Sequence, residues 1–355
     1  MPKGFPALIN NNPVSIMKNM APSEEKNTII YPPRVVSGIQ PATEIHLGHY
    51  FGALKQHIEL HHEYPGQTFV LIADYHSLNR LNAEKVRDGT LEMATTYLAL
   101  GLDPEKAVLY RQSDIPEVTE LAWILSCQIP AGNLNLKGMT DLEVKENLGQ
   151  FVYPVLMAAD ILTLMGTVVP RAVDQGSNID LTREVARAFN ENYEEDFFPL
   201  PENRVNLAGS FVPGTDGRKM HVDLKNTIGL FERFDKLRAK VSNMKTFQGA
   251  SAGTKSPEAD PVFKLLSLVA PDRSASWGKK GPESKPGGEE AKKELLAALK
   301  DYFGPYEEKY HQLKEDPGYV RDLLRENARK VRGIARDTIN DVRKLVGLSL
   351  YGAGK

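Results

Sequence analysis

Several things are scarce in this chain. It has a single cysteine, Cys127, in 355 residues, which excludes an intramolecular disulfide and a multi-cysteine zinc site and points to a reducing cytosol. Long apolar runs are missing too. The most apolar stretch, VLMAADILTLMGTVV, is interrupted by Asp160 and is too short for a membrane span, so no membrane contact is expected. There is no excess of positive charge: the formal net charge is -2, so contact with a nucleic acid must come from a local patch. No secretory segment is expected, because residues 1–30 have no continuous apolar centre and are rich in Asn and Pro; they read as a flexible tail. No internal repeat is present. What remains, 41% hydrophobic and 25% charged residues, is the make-up of a globular protein long enough for about two domains and a large core.

From Arg34 strands and helices alternate. RVVSGI reads as a strand, and the helix after it carries Leu47, Phe51, Leu54 and Ile58 on one face. TFVLIADYH holds five successive apolar positions, Phe69 to Ala73, as in a parallel strand covered on both sides. The helix around TLEMATTYLAL ends at Gly101, a left-handed C-cap, with Pro104 beyond. AVLYRQSD, IPEVTELAWILSC, VYPVLMAADILTL, TVVPRAVDQ and NIDLTREVARAF continue as strand, helix, helix, strand and helix. The pattern predicts a doubly wound parallel α/β sheet of the Rossmann type, in which ligands bind beyond the carboxyl ends of the strands. After about Gly249 come two Gly/Ser/Pro/Lys-rich loops and then almost continuous helix, so a C-terminal α-helical domain is expected. The expected division is 1–30 tail, 31–235 α/β domain and 236–350 helical domain. In the last helix Leu324, Ala328, Val331, Ala335, Ile339 and Val342 form a buried stripe. Arg321, Arg325, Arg329, Arg332 and Arg336 form a second stripe, either a solvated face or, with Lys279 and Lys280, a patch for nucleic acid.

EIHLGHYFGAL, Glu44 to Leu54, places His46 and His49 three apart at a helix start, directly after a strand. Free N–H groups and the dipole there suit a phosphate, and Gly48 removes a side chain that would block a flat ring or a sugar. The direct reading is two donors on a phosphate chain; the ordinary alternative is a helix start with two satisfied surface histidines. His57, His61 and His62 farther along are expected to be solvated rather than metal ligands. Asp160 is a lone carboxylate in an apolar helix, and a buried carboxylate needs a donor. That donor is a local cap, a nearby Arg, or a donor group of a ligand. Asp74 and His76 close the apolar strand, as site groups or as caps.

SGIQPATEIHLGHYFGAL resembles the first signature, HIGH, of class I aminoacyl-tRNA synthetases, and its context resembles the tryptophanyl-tRNA synthetase family. The resemblance extends from about Arg34 to Gly347 and includes YPVLMAADIL, the downstream DQ, LTREVARAFN, and Lys219-Met220. It implies activation of L-tryptophan by ATP as an adenylate and transfer to tRNA(Trp), in a cytoplasmic homodimer. Magnesium is expected with the phosphates, and no structural metal in the protein. The implied catalytic residues are His46, His49 and Lys219. The implied ATP contacts are Ser37, Gly38, Gln40, His46, Gly48, His49, Asp174, Lys219 and Met220. Around tryptophan it implies His76, Tyr153, Met157, Asp160, Ile161 and Gln175, with Asp160 accepting the indole N–H.

The chain departs from the family pattern at four places. AVDQ stands for the usual GEDQ, Arg171 replaces a small apolar residue, and GMTDLEVKENLGQFVYP is short and lacks an FKDKS-like stretch. KMHVD stands where KMSKS is expected, so that His221, Val222 and Asp223 replace Ser, Lys and Ser; His221 or Lys225 is expected to replace the missing lysine. Two further readings accommodate this: a paralogue that transfers tryptophan or an indole analogue to a non-tRNA acceptor, and a non-catalytic amino-acid- or nucleotide-binding regulator.

Overall fold

The computed structural model describes residues 31–130, 132, 147–172, 176–206, 211–245, 260–278 and 288–349. The expected tail, the GMTDLEVKE loop, Val173, Asp174, Gln175, Lys279, Lys280 and most of the two Gly/Ser-rich loops lie outside these residues, as does the side chain of Arg171.

The first part of the chain runs β1 (Val35–Ile39), α1 (Leu47–His49), a π-helical turn (Tyr50–Leu54), α2 (Lys55–Glu63), β2 (Thr68–Ile72), α3 (Asp74–Ser77) and α4 (Ala83–Ala99). It continues with β3 (Ala107–Arg111), α5 (Glu117–Ser126), α6 (Leu148–Thr163), β4 (Val168–Ala172), α7 (Gly176–Asn192) and β5 (Glu202–Asn206). Among the described residues the strands form one all-parallel sheet in the order β3-β2-β1-β4-β5. Successive residues of a strand face opposite sides, and β2 sends Val70 and Ile72 to one apolar cluster and Phe69 and Leu71 to the other. That is why its sequence is an unbroken apolar run. Local signals end the helices: Asn82 accepts from the Lys85 N–H to start α4, and Gly101, at φ +100°, takes the left-handed conformation just beyond its end.

The strand order reverses between β1 and β4. They are paired in register at Val35 and Val168 and diverge beyond, whereas β1 and β2 stay paired from Val35 to Ile39. A cleft opens where the ladder stops. Pro170, which cannot donate a ladder bond, sits in β4 beside that opening.

The rest of the chain supplies α8 (Phe234–Ser242), α9 (Pro261–Val269), α10 (Pro271–Gly278), α11 (Gly288–Glu315) and α12 (Pro317–Leu345). The predicted apolar stripe of α12 is buried throughout. These helices share their cores with the sheet. Leu265, Leu295 and Leu299 join the cluster of Leu47, Leu54 and Met93, while Val331, Ala335 and Ile339 join that of β2, α5 and α6. Asn327 of α12 reaches the edge strand and donates to the Leu109 carbonyl at 3.0 Å. The arginine stripe divides. Arg332 and Arg336 donate to the largely buried carboxylate of Glu117 on α5, at 2.8 and 3.3 Å, and Arg325 pairs with Asp322 on its own helix. Two of the five stripe arginines therefore hold α12 to α5 instead of forming a free basic face.

Candidate active site

The cleft between β1 and β4 has a volume of about 540 Å³. Ser37, Gly38 and Gln40 reach it from the end of β1; His46, Gly48 and His49 from the start of α1; and His76 from α3. Tyr153, Met157, Asp160 and Ile161 reach it from α6, where their spacing puts them on one face, and Lys219 and Met220 from the opposing loop. All of the described site residues expected from sequence therefore line one cavity. Asp174 and Gln175 lie outside the described residues.

His46 is the N-cap of α1. Its Nδ1 accepts from the Gly48 N–H at 3.1 Å, and the His49 Nδ1 accepts from the His46 N–H at 3.3 Å, so the two rings stack with centroids 3.8 Å apart. A Cβ on residue 48 would lie 2.9 Å from the His46 ring. Gly48 thus makes room for the His46 ring, and it also lines the cleft. Burial, then the neighbouring His49, His221 and Lys240, push His46 down to about 3; burial and His221 push His49 down to about 4. Both rings are neutral at pH 7. With Nδ1 accepting, the one ring proton sits on Nε2.

Asp160 is nearly inaccessible. Its two oxygens accept from Gln112 Nε2 at 2.8 Å each, and Oδ2 lies 3.0 Å from His76 Nε2. Gln112 is oriented by its other end, which accepts from the Tyr75 N–H at 3.0 Å. Sequence alone did not single out Gln112: AVLYRQSD read as one strand, whereas β3 ends at Arg111 and Gln112 begins a 3-10 turn. A carboxylate has about four acceptor sites, so these contacts do not exhaust it, and Asp160 is among the residues that line the cleft. Asp74, by contrast, accepts from Ser113 N, Ser113 Oγ and Tyr75 N and acts as a local cap. Burial raises its pKa, against the lowering effect of the Ser113 bonds.

The loop facing the histidines is fastened at two places. Leu47 N donates to Ile228 O and Leu230 N to Ile45 O, which ties the strand-like segment 228–230 to the start of α1. Asn226, buried, donates to Asp216 Oδ1 at 2.8 Å and to Lys219 O at 3.2 Å and accepts from His221 N at 2.8 Å. This clamp was not anticipated; a lone Asn in LKN carries no recognisable pattern. Lys219, His221 and Val222 line the cleft, whereas Lys225, in a left-handed conformation past a short 3-10 turn (Val222–Leu224), does not. Of the two expected substitutes for the missing lysine, only His221 reaches the cavity.

The other histidines overturn the solvated expectation in part. His57 and His61 are buried, and His62 is exposed. His57 lies between Ser37 Oγ, 2.7 Å from its Nε2, and Tyr97 OH, 2.6 Å from its Nδ1.

A parallel sheet with a switch-point cleft, a histidine-capped helix start on one wall and a KM loop on the other is the Rossmann-type architecture of the class I synthetases. Residues 31–299 match the family described as tRNA synthetases class I (W and Y), and the chain belongs to that family. A tryptophan–tRNA ligase of Fusobacterium nucleatum is 39% identical over 322 residues, covering 89% of this chain and 98% of that protein. One from Rhodopirellula baltica is 38% identical, covering 89% and 99%. The crystal structure of tryptophanyl-tRNA synthetase from Campylobacter jejuni complexed with ADP and tryptophan is similar with a TM-score of 0.76 and 34% identity, covering 88% of this chain and 99% of that one.

Proposed function

We propose that this chain joins L-tryptophan to ATP as tryptophanyl-adenylate and transfers the acyl group to tRNA(Trp). The tryptophan carboxylate attacks the α-phosphate, pyrophosphate leaves, and a ribose hydroxyl of the tRNA then attacks the acyl carbon and releases AMP. The observation that carries this reading is Asp160, a buried carboxylate held in place by Gln112 and His76 and facing the same cleft as the two Nε2–H donors of His46 and His49. Asp160 accepts the indole N–H, with Tyr153, Met157 and Ile161 against the ring. Ser37, Gly38, Gln40, Gly48, Met220 and Asp174 hold ATP, and Gln175 helps to place the amino acid.

His46 and His49 act as neutral donors to developing negative charge, and the cationic contribution is left to Lys219. Magnesium enters with the triphosphate as part of the substrate. Neutral imidazoles and a lysine suit phosphate oxygens better than a divalent cation, so the ion is held by the phosphates. The helices from residue 236 on serve the anticodon end of the tRNA. Large apolar side chains left exposed on α5 and α6, Trp123 and Leu148, supply a face for a second copy in a homodimer. The reducing compartment inferred from cysteine content is the cytoplasm. No helix among the described residues is long and apolar enough to cross a membrane.

The test is tryptophan-dependent ATP–pyrophosphate exchange followed by charging of total tRNA. Exchange without charging would favour transfer to another acceptor, the reading that KMHVD motivates; no exchange would leave a binding regulator.

A further inference from the structure

We infer that His57, with Tyr97 behind it, is a positioning residue that fixes the Ser37 hydroxyl as a hydrogen-bond donor into the cleft, toward an anionic oxygen of the bound substrates. The inference rests on the proposed reading of the cleft as the tryptophan and ATP site. Its geometric core does not.

Three polar side chains form a chain of hydrogen bonds that starts at Ser37 in β1. Ser37 Oγ is 2.7 Å from His57 Nε2, and His57 Nδ1 is 2.6 Å from the Tyr97 hydroxyl. Ser37 is 8%, His57 3% and Tyr97 0% exposed, and Ser37 and His57 both line the cleft while Tyr97 does not. Burial holds His57 at about 4, so its ring is neutral at pH 7 and carries one proton. Burial also raises Tyr97 far above the ordinary phenol range, so its proton stays on.

Only two proton arrangements are then open. In one, Tyr97 donates to Nδ1, Nε2–H donates to Ser37 Oγ, and the serine proton is free to point into the cleft. In the other, Ser37 donates to Nε2 and Nδ1–H donates to the Tyr97 oxygen, which strands the phenolic proton in a fully buried place where, among the described residues, His57 is its one hydrogen-bond partner. A buried unmade donor is the costlier defect. The first arrangement therefore holds, and Tyr97 determines through the imidazole which way a serine in the cleft donates. The donor stands in the middle of β1, past Val35 where pairing with β4 ends, and it lines the cleft at the switch point, where a phosphate or carboxylate oxygen of the substrates would arrive. Nothing about His57 in the sequence suggests this, since its neighbours His61 and His62 share no such chain.

Ring-nitrogen NMR of the whole protein, with its eight histidines labelled with nitrogen-15 and the His57 signal identified by its loss in His57→Phe, reads the arrangement without any substrate. The Nε2–H tautomer is expected, and Tyr97→Phe should abolish the preference. An Nδ1–H tautomer in the wild type would overturn the inference. In exchange kinetics, Ser37→Ala should lower kcat/KM by about 10- to 100-fold, as for loss of a hydrogen bond to a charged group. His57→Phe should cost a similar factor, and Ser37→Ala should cost no more than about twofold further in its background. Separate KM values for ATP and for tryptophan identify whose oxygen Ser37 meets. Losses that multiply would mean that His57 acts independently of Ser37, and the inference fails. Should His57→Phe not fold, Tyr97→Phe, which removes one atom, serves in the same cycle. A wild type without exchange activity would count against the proposed function, while the tautomer would still report on the relay.

Discussion

The two ends of the cleft are built differently. At the Asp160 end the polar groups are buried and satisfy one another: Tyr75 N orients Gln112, Gln112 and His76 hold the carboxylate, and the carboxylate lines the cleft. At the other end the groups stand on one helix turn and on an exposed loop. His46 and His49 use their Nδ1 atoms to cap their own helix, and Lys219 and His221 are carried by a hairpin held by Asn226. The contrast follows from what each end has to recognise. A neutral N–H is distinguished from a C–H by the penalty of leaving a buried acceptor unpaired, which demands a rigid, dry partner. Phosphate charge is felt over a longer range, so several donors can share the work and the loop sequence can change from KMSKS to KMHVD.

The largest test of this contrast is Asp160→Ala. Its discrimination of tryptophan against phenylalanine in pyrophosphate exchange should fall by about 10⁴, with the KM for ATP unchanged. Equal damage to both substrates would mean that the two ends are not separate. At the phosphate end, Lys219→Ala should lower kcat by roughly 10² to 10³ with little change in the KM for tryptophan. His221→Ala should act in the same direction, and Lys225→Ala, whose side chain does not line the cleft, should be nearly silent. A strong Lys225→Ala effect would show that the loop closes differently when ATP is bound.

Away from the cleft, Glu117 provides a structural counterpart to Asp160. Burial acts to raise its carboxyl, yet Arg332 and Arg336 hold it below its ordinary range. Arg332→Ala with Arg336→Ala should destabilise the fold by about 1–3 kcal/mol in denaturant unfolding and leave exchange kinetics alone. A separate effect concerns pH. His46, His49 and His57 titrate near 3 to 4 in the folded chain but near 6.5 when unfolded. Between those values the unfolded chain binds more protons, so stability should be full above about pH 6.5 and fall as pH drops toward 4, by up to about 1.4 kcal/mol per pH unit for each ring. Unfolding midpoints that stay constant from pH 7 to 5 would contradict the neutral, buried state of these rings. The smallest change is expected in tRNA binding. Neutralising Arg321 or Arg329, which stand apart from the Glu117 pair, should reduce the logarithmic salt dependence by about one for each phosphate that the arginine had neutralised. No change would assign them to solvation.

Local chemistry made much of this legible beforehand. The apolar run from Phe69 to Ala73 announced a strand covered on both faces, and the stripe from Leu324 to Val342 announced the buried side of α12, because both depend only on the period of the backbone. HLGH marked a helix start, and His46 caps it within three residues. A shared face of α6 was visible in the spacing of Tyr153, Met157, Asp160 and Ile161. What was not legible depends on pairs distant in the chain. Gln112 meets Asp160 across 48 positions, His57 meets Tyr97 across 40, and Arg332 meets Glu117 across 215. The sequence by itself determined most of the strands and helices and which faces turn inward, though not β5, whose ENRVN carries no apolar run. The tertiary structure alone decided which polar groups satisfy one another at the cleft, because a hydrogen bond needs its two atoms within about 3 Å and no local period reports on that.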